Sequence, residues 1–127
     1  MKPHGDYKIE LISNVVHVFP CGGFNEYGIR KLHEDIASIV PVNTPWALFE
    51  HPYNISGLTP ESIEELVRCY QNLSKLNCIV VALEISSTWE AVFEKSILGK
   101  VGIPVYLSED SKEIEEIIQN KLNNYVK

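Results

Sequence analysis

"CIVVALEIS", residues 78–86, is the stretch whose reading decides the fold. It is a near-continuous apolar, β-branched run, the pattern of a central parallel strand covered on both faces rather than a strand with one wet side. Such a strand needs helices around it, and amphipathic segments flank it on either side. Upstream, Ile63, Leu66, Val67, Tyr70 and Leu73 recur at helical spacing, and Glu64 and Arg68 are spaced to pair at i,i+4 on the opposite face. Downstream, Ser87 or Thr88 is expected to cap a helix over residues 87–98 that bears Trp89, Val92, Phe93 and Ile97 and stops near Gly99.

Further out, "YKIELISN" and "VVHVF" are two extended runs around the polar pair Ser13-Asn14, which predicts an antiparallel hairpin. Pro20, Gly22 and Gly23 end the second run. Asn25 is placed to cap an amphipathic helix with Ile29, Leu32, Ile36 and Ile39 inward, weakened in its first turn by Gly28. "WALFEH" reads as a short buried strand closed by Pro52, "IPVYLSE" as a last strand, and "SKEIEEIIQNKLNNYV" as a final helix. The predicted order is ββαβαβαβα. Single helices between strands require crossovers, so the fold class is α/β, with a mixed, mostly parallel sheet begun by an antiparallel hairpin.

With 127 residues, one domain spanning 1–127 is expected. Hydrophobic residues at 45% and charged residues at 22% are ordinary for a globular chain. A formal charge of −6 with no basic cluster opposes nucleic acid and anionic membrane surfaces as partners, because both are bound through Lys and Arg. "MKPHGDYKIE" lacks the apolar core of a signal peptide and no stretch is long enough for a membrane span, so a cytoplasmic protein, not an integral membrane protein, is expected. Cys21, Cys69 and Cys78 have no metal-ligand spacing and read as reduced thiols, the last two buried.

The predicted order, together with "VVHVFPCGGFNEYGIRKLHEDI", "NISGLTPESIEELVRCY" and "WEAVFEKSILGKVGIPVYLSEDSKEIEEII", resembles the STAS superfamily, and more closely its SpoIIAA-like branch (anti-sigma factor antagonist-like, STAS/SEC14). The resemblance covers nearly the whole chain and implies a noncatalytic regulatory or interaction module. It also implies a phosphoacceptor position ahead of the second helix, in a pattern like Asp-Ser-Ser-Gly-Leu. Here Ser56, Gly57 and Leu58 match that pattern, whereas Asn54 replaces the acid and Ile55 the first serine.

Residues decide between this and a plainer role for Ser56. Thr59-Pro60-Glu61 is a strong helix start, with a capping hydroxyl, proline at the first helical position and an acid in the first turn. Ser56 then lies outside the helix with no evident cation to hold a phosphate, so turn duty is its default reading. The expected partner surface is the loop 53–59 with the adjoining helix start, including Asn54, Ser56, Gly57 and Thr59, near the turn 22–25. The alternative is a carrier or sensor of a small hydrophobic, lipid-like ligand, which the SEC14 side of the resemblance implies. Its pocket would be lined by Trp46, Phe49, Tyr53, Trp89 and Phe93, with Tyr106 a further candidate.

An enzyme ranks third, through Cys21 with His17 or His51 as base. His4, His17, His33 and His51, taken with Glu50, match no metal motif, and "CGGFNEYG" lacks a nucleotide fingerprint, so no cofactor or metal is expected. An exposed hairpin edge would permit a homodimer by strand pairing.

Overall fold

A computed structural model describes residues 2–125 of the chain. Val126, placed by sequence at the end of the last helix, lies outside the described residues, as do Met1 and Lys127 at the ends of the expected domain.

Strands β1 (Ile9–Ile12) and β2 (Val15–Val18) form the predicted hairpin, turning at Ser13, whose φ of 54° is left-handed. Next come β3 (Gly22–Phe24), α1 (Glu26–Ile39), β4 (Trp46–Glu50), β5 (Ile55–Leu58) and α2 (Pro60–Leu73). The chain continues through a 3-10 turn (Ser74–Leu76) into β6 (Cys78–Glu84), α3 (Ser87–Ser96), β7 (Val105–Ser108) and α4 (Ser111–Asn123). The main sheet has the order β1-β2-β4-β6-β7, antiparallel only between β1 and β2. β6, the strand of the opening stretch, lies between β4 and β7 and is buried along most of its length.

Each parallel step moves to the next strand in one direction, and right-handed crossovers then carry α1, α2 and α3 to the same face. There Ile29, Leu32, Leu66, Tyr70 and Phe93 pack on Val16, Trp46, Leu48, Val81 and Leu83. On the opposite face, Ile114 and Ile118 of α4 cover Val15, Ala47, Phe49, Val80 and Ala82. Alternation along β4 therefore sends Trp46, Leu48 and Glu50 one way and Ala47 and Phe49 the other.

The structure adds two short strands to the predicted order. β3 and β5 pair in parallel as a separate two-stranded sheet. Caps fall largely where the sequence puts them, at Asn25, whose side chain accepts from the Gly28 amide, and at Thr59, whose side chain accepts from Ser62. α3 differs. Its cap residue is Ser86, with no side-chain hydrogen bond, and the Ser87 amide donates instead to the Glu109 carboxylate at 2.8 Å.

The N-terminal segment straps across the start of α1. The His4 amide donates to Asn25 Oδ1, Asn25 Nδ2 donates to the Lys2 carbonyl, and Asp6 and Cys21 exchange backbone hydrogen bonds. Gly28, which by propensity only weakens the helix, lies directly beneath this strap. A Cβ there would meet the His4 carbonyl oxygen at 1.8 Å.

Candidate functional site

Two regions bring the sequence-selected residues together. In the first, the β3 and β5 pairing sets Gly23 beside Gly57 and Phe24 beside Leu58, with a register shift after Gly22. Ser56 is exposed within this irregular stretch, and a Cβ on Gly23 would lie 3.0 Å from its hydroxyl oxygen. Asn54, at φ 49°, takes the left-handed turn into β5, and its carbonyl accepts from the Gly22 amide. The loop 53–59 and the turn 22–25 thus form one ridge from which α1 and α2 both start. Asn54, Ser56, Gly57 and Thr59 all belong to it. A shallow hollow on this ridge is lined by Ser56, Gly57, Thr59, Gly23, Asn25 and His4, among others, with no Lys or Arg among the described residues.

The second region is a cavity of about 200 Å³ at the C-terminal ends of β4 and β6, the end at which α/β sheets commonly hold ligands. Tyr53, Trp89 and Phe93 line it, together with Phe24 and Tyr70. Trp46 and Phe49 do not. Trp46 is fully buried at the opposite end of β4, where its indole N–H donates to the Leu76 carbonyl at 2.6 Å. Phe49 points to the other face and is 1% exposed. Tyr106 also packs on that far face.

Glu50, which the sequence offers only beside the four histidines as a set without metal spacing, lines the cavity at 4% exposure and accepts a hydrogen bond from the Tyr70 hydroxyl. Burial raises its carboxyl to about 7, against the lowering effect of Tyr70. Burial and the neighbouring Glu50 together push the Tyr70 hydroxyl well above its ordinary value, so it remains a donor.

On the α4 side of the sheet a second polar chain runs across three strands. His51 Nδ1 lies 2.9 Å from Glu84 Oε1, and His17 Nδ1 lies 3.0 Å from His51 Nε2. A carboxylate acceptor at one end orders the tautomers, leaving His17 Nε2 as the unprotonated nitrogen of the chain. Burial, then the His51 charge, lowers the His17 pKa. Phe19 and Phe49 stack on His51 at 4.7 and 3.9 Å. Cys21 is not hydrogen-bonded to either histidine; its thiol stands by Tyr53, whose hydroxyl it holds above the ordinary value. Burial pushes the thiols of Cys69 and Cys78 up to about 12.

His33, on α1, is buried against α2 with neither ring nitrogen hydrogen-bonded among the described residues, and burial lowers its pKa to about 4. Beside it Glu65 accepts from Arg30 and Arg68. Burial works to raise the Glu65 carboxyl, but Arg30 and Arg68 outweigh it and hold it below its usual value. Among the described residues no group of three or more His, Cys, Asp or Glu side chains is arranged to hold a metal ion, and no helix is long and apolar enough to cross a membrane.

This arrangement of a hairpin-led parallel sheet, three helices on one face and a fourth on the other is the SpoIIAA-like fold. An uncharacterized protein from Shewanella loihica PV-4 with that fold superposes at a TM-score of 0.64, with 11% identity over 93% of this chain and 96% of its own. An anti-sigma factor antagonist from Mycobacterium paratuberculosis gives 0.63, with 16% identity over 91% and 95%. The anti-sigma factor antagonist SpoIIAA in its unphosphorylated form gives 0.60, with 12% identity over 94% and 100%. No family model matches the chain, and no curated protein matches it in sequence.

Proposed function

We propose that the chain is a noncatalytic regulatory or interaction module that binds a protein partner through the loop 53–59 and the start of α2. The observation that carries this reading is the β3 and β5 pairing, which joins two separate stretches of sequence into one exposed ridge. Two of the proteins that share the fold are anti-sigma factor antagonists, which supports a role through protein contacts. Ser56 then acts as a contact residue. Among the described residues the hollow around it offers no Lys or Arg to hold a phosphate, which leaves a phosphoserine there without a counter-charge from them.

Gly57 supplies a clean test, because an added Cβ meets nothing within 4 Å and its φ is not left-handed. Gly57→Asp and Ser56→Glu should each weaken retention of the partner on immobilised protein. Glu116→Lys, on the exposed face of α4, should not. Equal retention by all three variants would count against this surface.

The cavity supports a second reading, a carrier or sensor of a small hydrophobic ligand. It opens beside the ridge at Tyr53 and Asn54, both in its lining, so an occupant would touch the loop that meets the partner.

A further inference from the structure

The chemistry of the cavity narrows what it would hold, given the second reading above. An engineered apolar cavity of about 150 Å³ takes up benzene, so about 200 Å³ has room for one ring with a short arm. A purely apolar guest would leave the Glu50 carboxyl unused. Among the described residues its one hydrogen-bond partner is the Tyr70 hydroxyl, on Oε2. A carboxylate accepts on both oxygens, and leaving one without a partner in apolar surroundings is costly.

The walls set the sign of the missing partner. Among the described residues no Lys, Arg or His lines the cavity, and its other acid, Glu84, is engaged with His51. A carboxylate or phosphate head would find no counter-charge. Phe24, Tyr53, Tyr70, Trp89 and Phe93 surround the space, and aromatic faces attract cations.

We propose that this cavity binds a small apolar molecule ending in a protonated amine, with Glu50 as its counter-ion and the aromatic walls around it. The ammonium donates to Oε1 while Tyr70 keeps Oε2. The titratable groups that share the lining with Glu50 are Tyr70 from α2, Tyr53 from the loop after β4, and Glu84 from β6; His33 of α1 stands behind Tyr70, edge-on to it at 5.7 Å, and α3 contributes Trp89 and Phe93, which do not titrate. Since burial holds the carboxyl near 7, binding an ammonium displaces its proton. Affinity therefore rises between pH 6 and pH 8.

Calorimetric titration of the full chain with 2-phenylethylamine, 2-phenylethanol and 3-phenylpropanoate tests this. The amine should bind about ten-fold or more tighter than the alcohol at pH 8, with the acid weakest and the advantage smaller at pH 6. Glu50→Gln should remove the advantage, bringing the amine's affinity down to the alcohol's. Should that variant fail to fold, the wild-type comparison between pH 6 and pH 8 decides. An alcohol that binds as well as the amine at both pH values overturns the ammonium assignment and leaves the small-ligand reading standing. Binding of none of the three overturns both.

Discussion

Gly28→Ala is the substitution for which propensity and structure disagree in sign. In an ordinary helix interior the change stabilises by about 1 kcal/mol, because alanine loses less backbone entropy than glycine. Here the new Cβ would stand 1.8 Å from the His4 carbonyl oxygen and 2.8 Å from its carbon. Both are backbone atoms, so the strap must lift. Lifting it breaks the hydrogen bonds that His4 and Lys2 make with Asn25, each worth about 0.5–1 kcal/mol at a partly exposed site. It also uncovers Phe24, now 4% exposed beneath Gly5, at a further cost of about 1 kcal/mol. These losses outweigh the helix gain and leave the variant about 1.5–3 kcal/mol less stable. The urea midpoint should fall by about 1–2 M. Hydrogen exchange at the amides of Asp6 and Cys21, now paired to each other's carbonyls, should quicken. A midpoint that rises, with those amides still protected, would refute the strap as a structural clasp.

Three further expectations concern buried groups. Glu50 has a folded pKa raised from 4.5 to about 7, so the folded state holds its proton longer than the unfolded state. Its contribution is fully present below about pH 4.5 and is lost as pH rises through about 7, amounting to about 3 kcal/mol in all, of which about 1 falls between pH 6 and pH 8. Chemical denaturation across that window should show Glu50→Gln losing about 1 kcal/mol less than the wild type; parallel curves would contradict the assignment. His33 acts in the opposite sense, since its lowered pKa of about 4 means stability present above about 6.5 and lost as pH falls through about 4. Replacing this imidazole, which has no hydrogen-bond partner among the described residues, by His33→Leu should raise stability at pH 7 by about 1 kcal/mol and move acid unfolding to lower pH; a loss of stability at pH 7 with acid unfolding unmoved would expose a hidden partner. Finally, a thiol reagent at pH 7 should label half-buried Cys21 well before buried Cys69 and Cys78, whose thiols are held near 12, and all three should react alike in denaturant.

What the sequence revealed and what it hid divide along physical lines. β6 was legible because a run buried on both faces leaves an unbroken apolar signature, and the starts of α1 and α2 because capping is local, fixed by Asn25 and by Thr59-Pro60. β3 and β5 were not, because three or four residues rich in glycine carry no alternation and are strands only by pairing with each other across some thirty residues. The candidate pocket was half legible. Trp89, Phe93 and Tyr53 do share a cavity, but aromatic content alone cannot say which face or which end of a strand a ring occupies. Parity along β4 puts Phe49 on the far face, and four residues of strand rise separate Trp46 from Glu50, about 13 Å. Glu50 itself looked like the polar end of a strand; its partner Tyr70 lies twenty residues on, where no local pattern links them. The same distance hid the His17, His51 and Glu84 chain, whose members come from separate strands or strand ends.

The most direct test of the interaction module places a photo-crosslinking residue at Ser56, at Gly57 and, as a control, at Glu116 on the exposed side of α4, with irradiation in a native extract. The account predicts one discrete adduct of the same mass from positions 56 and 57 and none from 116. An adduct formed from 116 alone would contradict it.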